Sequence, residues 1–125
     1  MTQEEFVAAI KLVAFDSAVG ETALRPKGEE PYEVLVRLWD WYTNLPNRDR
    51  ALVRHAMRIA AYGAVFNFLA VLDGLAVIEN PPHGELRLTY TDPDGSQLQL
   101  NRPEVEELAG LWTNQVFPYT EPLPD

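Results

Sequence analysis

A chain of 125 residues, 46% hydrophobic and 23% charged, suits a single core, which serves domains of about 100–150 residues. Nineteen Asp and Glu against ten Lys and Arg leave a net charge of −9, which excludes a generic nucleic-acid binder, since such a protein needs a cationic footprint on the phosphates. There is no cysteine, so disulfides, thiolate metal sites and thiol nucleophiles are excluded as well.

Thr2-Gln3-Glu4-Glu5 has the spacing of a capping box, in which a hydroxyl accepts from an amide three residues on. Phe6, Ile10, Val13 and Ala14 then recur at helical spacing and predict a first helix to about Val19, with Gly20 as a left-handed stop. Residues 21–30 hold Pro26 and Gly28 among charges and read as a loop. Pro31 suits the first turn of a second helix, where its missing N–H costs nothing, and Glu29, Glu30 and Glu33 favour that helix's positive end. This helix is predicted to close near Asn44, before Pro46. Leu35, Leu38, Tyr42 and Leu45 make one stripe on it. Trp39 and Trp41 stand about 200° apart at 100° per residue, so one core cannot take both. Either the helix is buried on two sides, or one indole is exposed for a partner.

Asn47 is the expected N-cap of a third and longest helix, which reaches Leu72 and ends at Asp73-Gly74. In its first half Leu52, Val53, Ala56 and Ile59 face one way and the arginines another. Past Ala60 it is apolar nearly all round, the pattern of a helix passing through the middle of a fold. Ala56, Ala60, Gly63 and Asn67 share a small-residue face on which another backbone fits, and Asn67 is expected to be hydrogen-bonded across that contact. Residues 74–79 are a candidate for a short third strand. Leu86, Leu88 and Tyr90 alternate with polar residues, Asp92-Pro93-Asp94-Gly95 is a turn, and Leu98 and Leu100 alternate on the return; this is a β-hairpin. Pro103 is expected to open a fourth helix, with Glu104, Glu106 and Glu107 in its first turn and Leu108, Leu111 and Trp112 on its apolar side. The whole reads as a helix-dominated α+β fold: four helices, a long central third, and a hairpin between helices three and four. Residues 1–116 make one globular domain and 117–125 an extended, proline-rich tail.

The inventory is poor in catalytic groups. His55 and His83 are the two histidines, no paired-His spacing occurs, and no metal site or cofactor is expected. Neither Ser17 nor Ser96 sits in a nucleophile elbow, and no glycine-rich phosphate loop is present, so no catalytic residue is assigned; carboxylate acid–base chemistry is what the residues permit. Asp92, Asp94, Gly95 and Ser96 fall short of a calcium loop, which needs twelve residues and a closing Glu. The distinctive polar feature is Arg50, Arg54 and Arg58 at i, i+4, i+8, extended by Tyr62 and flanked by His55. Over residues 48–58 the four arginines less Asp49 leave +3, so the rest of the chain carries −12. These guanidiniums either pair with Glu29, Glu30, Glu33 or the Glu104, Glu106 and Glu107 cluster, or they bind a carboxylate or phosphate ligand bidentately.

A small, acidic, cysteine-free, helix-rich domain with one hairpin resembles, in general form and not in motif, many bacterial inhibitor and immunity proteins. That resemblance implies a protein partner. The leading expectation is a cytoplasmic protein-interaction module that binds a basic protein, or associates with itself through the aromatic second helix. Tyr32, Trp39, Trp41 and Trp112 are its candidate anchors, with the glutamate clusters for steering. The alternative is a small-molecule domain, binding or enzymatic, in which Arg50, Arg54, Arg58, Tyr62 and His55 meet an anionic ligand in a concave pocket. The acidic start lacks the pattern of a secretory signal. The apolar run 60–72 is shorter than the roughly 20 residues of a span, so it reads as buried and no membrane partner is expected.

Overall fold

A computed structural model describes residues 1–80, 84–102, 104 and 106–116. The expectations for His83, for Pro103 as a helix opener and for the 117–125 tail lie outside them. Among the described residues there are four helices and one two-stranded antiparallel hairpin, a helix-dominated α+β architecture.

The first helix, α1, runs through three consecutive stretches: Gln3–Ile10, a π-helical Lys11–Phe15 and Asp16–Val19. Thr2 caps it, its hydroxyl accepting from the Glu5 amide at 3.1 Å. In the middle stretch the Asp16 amide donates to the Lys11 carbonyl, five residues back. Such a turn takes up one extra residue. With that residue discounted, Val7 and Phe15 stand two full turns apart, and both are fully buried. Leu12, Val13 and Ala14 turn outward instead. The expected face through Val13 and Ala14 is therefore wrong beyond Ile10, because straight helical counting misses the wide turn. Gly20 ends the helix in extended backbone (φ −78°, ψ 155°), not in the expected left-handed conformation, and leads into a short 3-10 turn, Glu21–Leu24.

Helix α2 covers Glu33–Thr43, with Tyr32 in the cap position. Helix α3, Asn47–Leu72, is one unbroken rod of about 39 Å at 1.5 Å per residue. Pro46 holds its cap position and Asn47 is already helical; the Asn47 side chain accepts from the Arg50 guanidinium and caps no amide. The second half of α3 buries one side, through Leu69 and Ala70, with Val65 and Phe66 half-buried against the same core. Ala60, Ala64, Asn67 and Phe68 are exposed. The rod thus flanks the core and does not pass through its middle, and Asn67 reaches solvent, so it needs no partner across a contact. A Cβ added at Gly63 would meet no atom within 4 Å, so the small-residue face is open.

Gly74 (φ 78°) follows α3, with the Leu75 amide bonded to the Ala70 carbonyl at 2.9 Å and the Gly74 amide to Val71 at 3.1 Å. This closing pattern satisfies the last carbonyls of the helix and turns the chain aside. Residues 75–78 form no strand, which corrects the third-strand expectation: the sheet has two strands, β1 (Thr89–Thr91) and β2 (Gln97–Gln99), pairing Tyr90 with Leu98. Their turn is the expected one. The Gly95 amide bonds to the Asp92 carbonyl at 2.9 Å, and Gly95 takes φ 91°, a conformation that favours glycine.

Helix α4 covers Leu108–Gln115 and starts later than predicted. Its first amides are capped from the end of α3: the Asp73 carboxylate accepts from Leu108 at 3.0 Å and from Ala109 at 2.9 Å. A negative charge at the positive end of α4 fixes where that helix begins, and Glu104 and Glu106 lie ahead of it. Buried Asn101 fastens the hairpin to the same corner. Its amide donates to the Leu72 and Leu86 carbonyls, both at 2.6 Å, and its carbonyl accepts from the Leu88 amide at 2.7 Å. The core lies between α1, the second half of α3, and α4, around Trp112. That ring meets Phe15 edge-on at 5.4 Å and stacks on Tyr62 at 6.0 Å.

Candidate functional site

Helix α2 stands apart from this core. Its one buried side chain, Tyr42, points back to the body, where its hydroxyl donates to the Glu21 carboxylate at 2.9 Å and accepts from Arg54 Nη1 at 2.8 Å. Glu21 and Arg54 are themselves 4.0 Å apart, so a phenol, a carboxylate and a guanidinium tie the 3-10 turn, α2 and α3 together. Trp39 is half-buried on the same side. Its ring lies 6.0 Å from that of Tyr42, with the Arg25 guanidinium 5.2 Å over its face.

The flank of α2 next to Tyr42 carries Val34, Leu38 and Trp41 at i, i+4 and i+7, one face of a helix, and all three are exposed, so Leu38 leaves the expected inward stripe. Trp41 shows 53% of its surface, and Tyr32 at the head of the helix shows 79%. The ion pair Glu33–Arg37, 2.7 Å, runs beside this face and lines a groove with Val34 and Leu38. Of the two expectations for this helix, two-sided burial is overturned. The 200° between the indoles places Trp39 inward and Trp41 in solvent.

Trp112 is corrected: it is fully buried and its Nε1 donates to the Tyr62 carbonyl at 3.2 Å, so it is a core residue and not a surface anchor. The arginine stripe also finds partners other than those expected. Arg54 bonds to Tyr42, the Arg58 guanidinium lies 5.5 Å over the Phe15 ring, and Arg50 donates to Asn47. Tyr62 is stacked between Trp112 and Phe66, and His55 is half-buried beside the stripe. The stripe therefore covers α1 and the 3-10 turn. A cleft of about 280 Å³ lies elsewhere, between the end of α3 and the hairpin, lined by Leu72, Asp73, Ile78, Glu85, Leu86 and Asn101. Its polar groups are engaged: Asp73 and Asn101 as described, and Glu85 with Arg87.

Among the described residues no three His, Asp or Glu side chains converge as a metal site. At the hairpin tip the Ser96 hydroxyl and amide hold the Asp94 carboxyl below its ordinary range, so those oxygens serve the turn. Sequence reading missed Glu21 and Arg25, which anchor α2, and Val34, whose spacing to Leu38 and Trp41 was legible. Tyr42→Phe keeps the ring and removes both hydroxyl bonds. It is expected to cost about 1 kcal/mol, felt mostly in α2. Hydrogen exchange checks this: amides of α2 should exchange several-fold faster while those of α4 stay protected, and a uniform rise would contradict it. No family model, curated protein or solved structure matches this chain, so its own residues are the ground for a functional reading.

Proposed function

We propose that the chain is a protein-interaction module that docks a partner on the outer face of α2, with Tyr32, Val34, Leu38 and Trp41 as contact residues. One observation carries this reading: a helix with this many large apolar side chains in solvent, of whose residues Tyr42 alone is buried against the body. Apolar patches of this kind mark docking sites, and tryptophan is enriched among residues that dominate binding energy. A basic partner fits best. The chain carries −9, and Glu29, Glu30 and Glu33 lie at the head of α2, where a negative field accelerates encounter with a cationic surface. The resemblance in form to inhibitor and immunity proteins agrees with a protein target. Anion binding on the arginine stripe has less support, because Arg54 and Arg58 already serve packing within the chain.

The test is capture from source cells with the wild-type chain and with Trp41→Ala. A partner held by the wild type should bind the variant at least about 30-fold more weakly, the equivalent of a 2 kcal/mol hot spot. The variant's melting temperature should hardly change, since Trp41 is outside the core. Equal binding by a folded Trp41→Ala chain would remove α2 as the docking face.

A further inference from the structure

We propose that a second copy of this chain packs against the open face of α3, the two helices crossing antiparallel at Ala60. Leu52, Ala56, Ala60, Ala64 and Phe68 form an uninterrupted i, i+4 row, and all five are exposed, Leu52 by 44% and Phe68 by 63%. Rows of this spacing are the ridges that interdigitate in the commonest helix packing, with axes about 8–10 Å apart and crossing near −50°. The order of sizes along the row suits such a crossing. Small side chains at its centre let the axes approach closely, and the large ones at its ends fill the space where the helices diverge. The row is also symmetric about Ala60, so a two-fold axis there pairs Leu52 of one copy with Phe68 of the other and Ala56 with Ala64. An interface between identical copies needs this self-complementarity.

Charge selects the occupant. Leu52, Ala56, Ile59, Ala60, Gly63, Ala64, Asn67 and Phe68 are all uncharged, on a chain of −9. On most other faces two copies would set carboxylates against one another, whereas this face brings none together and spares the pair that local repulsion. A basic partner, by contrast, would gain nothing there. By length and composition alone α3 is also long and apolar enough to cross a membrane. A lipid environment fits it poorly: the opposite side of the helix is packed on α1 and α4, and Arg54 and Arg58 on that side are bonded or stacked within the chain. The proposal concerns a different face from α2, and Trp41→Ala should leave the dimer intact.

The absence of cysteine makes the test direct. The Ala60→Cys chain places one thiol at the two-fold axis, where the two Cα atoms fall within the roughly 4.4–6.8 Å that a disulfide spans. Oxidation should convert it to a covalent dimer of twice 14.1 kDa, while Ser17→Cys, exposed on α1 and outside the proposed interface, should form no covalent dimer. Light scattering of the wild-type chain should give the dimer mass. Ala60→Glu, which sets two carboxylates face to face, should weaken association at least about 100-fold with an unchanged helical circular-dichroism spectrum. If that variant does not fold, the cysteine experiment decides alone. The proposal is overturned by a monomeric wild type at high micromolar concentration, by failure of Ala60→Cys to cross-link, by a dimer that persists in folded Ala60→Glu, or by flotation of the wild-type monomer with phosphatidylcholine vesicles.

Discussion

Replacing Trp112 with alanine is expected to lower the melting temperature by about 10–20 °C, because it removes the centre of the core. A buried Trp cut back to alanine costs about 3–5 kcal/mol, through lost transfer energy and the cavity left behind. The total stability of a chain this long is on the order of 6–19 kcal/mol, so one side chain carries a large share of it. The local geometry adds reasons for the upper end. The indole lies edge-on to Phe15 on α1 and stacked on Tyr62 of α3, and its N–H satisfies the Tyr62 carbonyl. Three helices therefore lose a common contact at once, and the space they leave is bounded by the backbone of α3, which cannot collapse into it freely. Trp112→Phe should recover most of the loss, since a ring of similar shape returns and only the hydrogen bond is missing. Thermal unfolding followed by far-ultraviolet circular dichroism measures both. The same variants separate the two tryptophan roles: a folded Trp112→Ala chain at low temperature should still hold the partner that Trp41→Ala loses. A shift of only a few degrees would mean that the core is not centred on this residue.

Features set by neighbours along the chain were legible. Thr2 and Glu5, the pairing of Tyr90 with Leu98, and Asp92-Pro93-Asp94-Gly95 each depend on contacts a few residues apart and lie where they were read, although the first strand is shorter than the alternation suggested, starting at Thr89 with Leu86 exposed ahead of it. The length of α3 followed from the apolar run and its glycine stop. Features set by distant contacts were not legible. The wide turn at residues 11–15 keeps Phe15 in line with Trp112, which nothing within one turn reveals. Asp73 caps a helix 35 positions away, so the start of α4 could not be read from residues 103–107. The second half of α3 shows a deeper ambiguity, because an apolar surface all round a helix is the same whether its neighbours are in the chain or outside it. The α2 site was half legible. The angle between Trp39 and Trp41 guaranteed that they part, but Glu21, Tyr42 and Arg54 decide which one faces the body.

Asn101→Asp, a change of one amide to one carboxyl, should destabilise the fold by about 3–5 kcal/mol at neutral pH, far more than its size suggests. Asn101 is 4% exposed and presents its amide nitrogen to two carbonyls, those of Leu72 and Leu86, at 2.6 Å each. An aspartate keeps the acceptor for the Leu88 amide but turns the donor into a second oxygen, facing two others. An ionised carboxylate there is repelled on one side and buried without a cation. Both effects favour the protonated form, so the folded variant's carboxyl is raised above the ordinary value of about 3.9. The sign of the pH dependence follows. Below the unfolded chain's value both states are protonated, the charge penalty is absent, and the acid O–H can donate to one of the carbonyls. As pH rises from about 4 the unfolded chain ionises freely and the folded one cannot, so the variant loses stability until pH passes the folded value. Urea unfolding at pH 4 and pH 7 should thus show a gap to the wild type that is small in acid and widens towards neutrality. Asn101→Ala, which leaves the same carbonyls without a donor but adds no charge, should show a gap that hardly changes with pH. If the aspartate gap were equally flat, the residue would not be facing those carbonyls, and the corner that joins α3 to the hairpin would be held by something else.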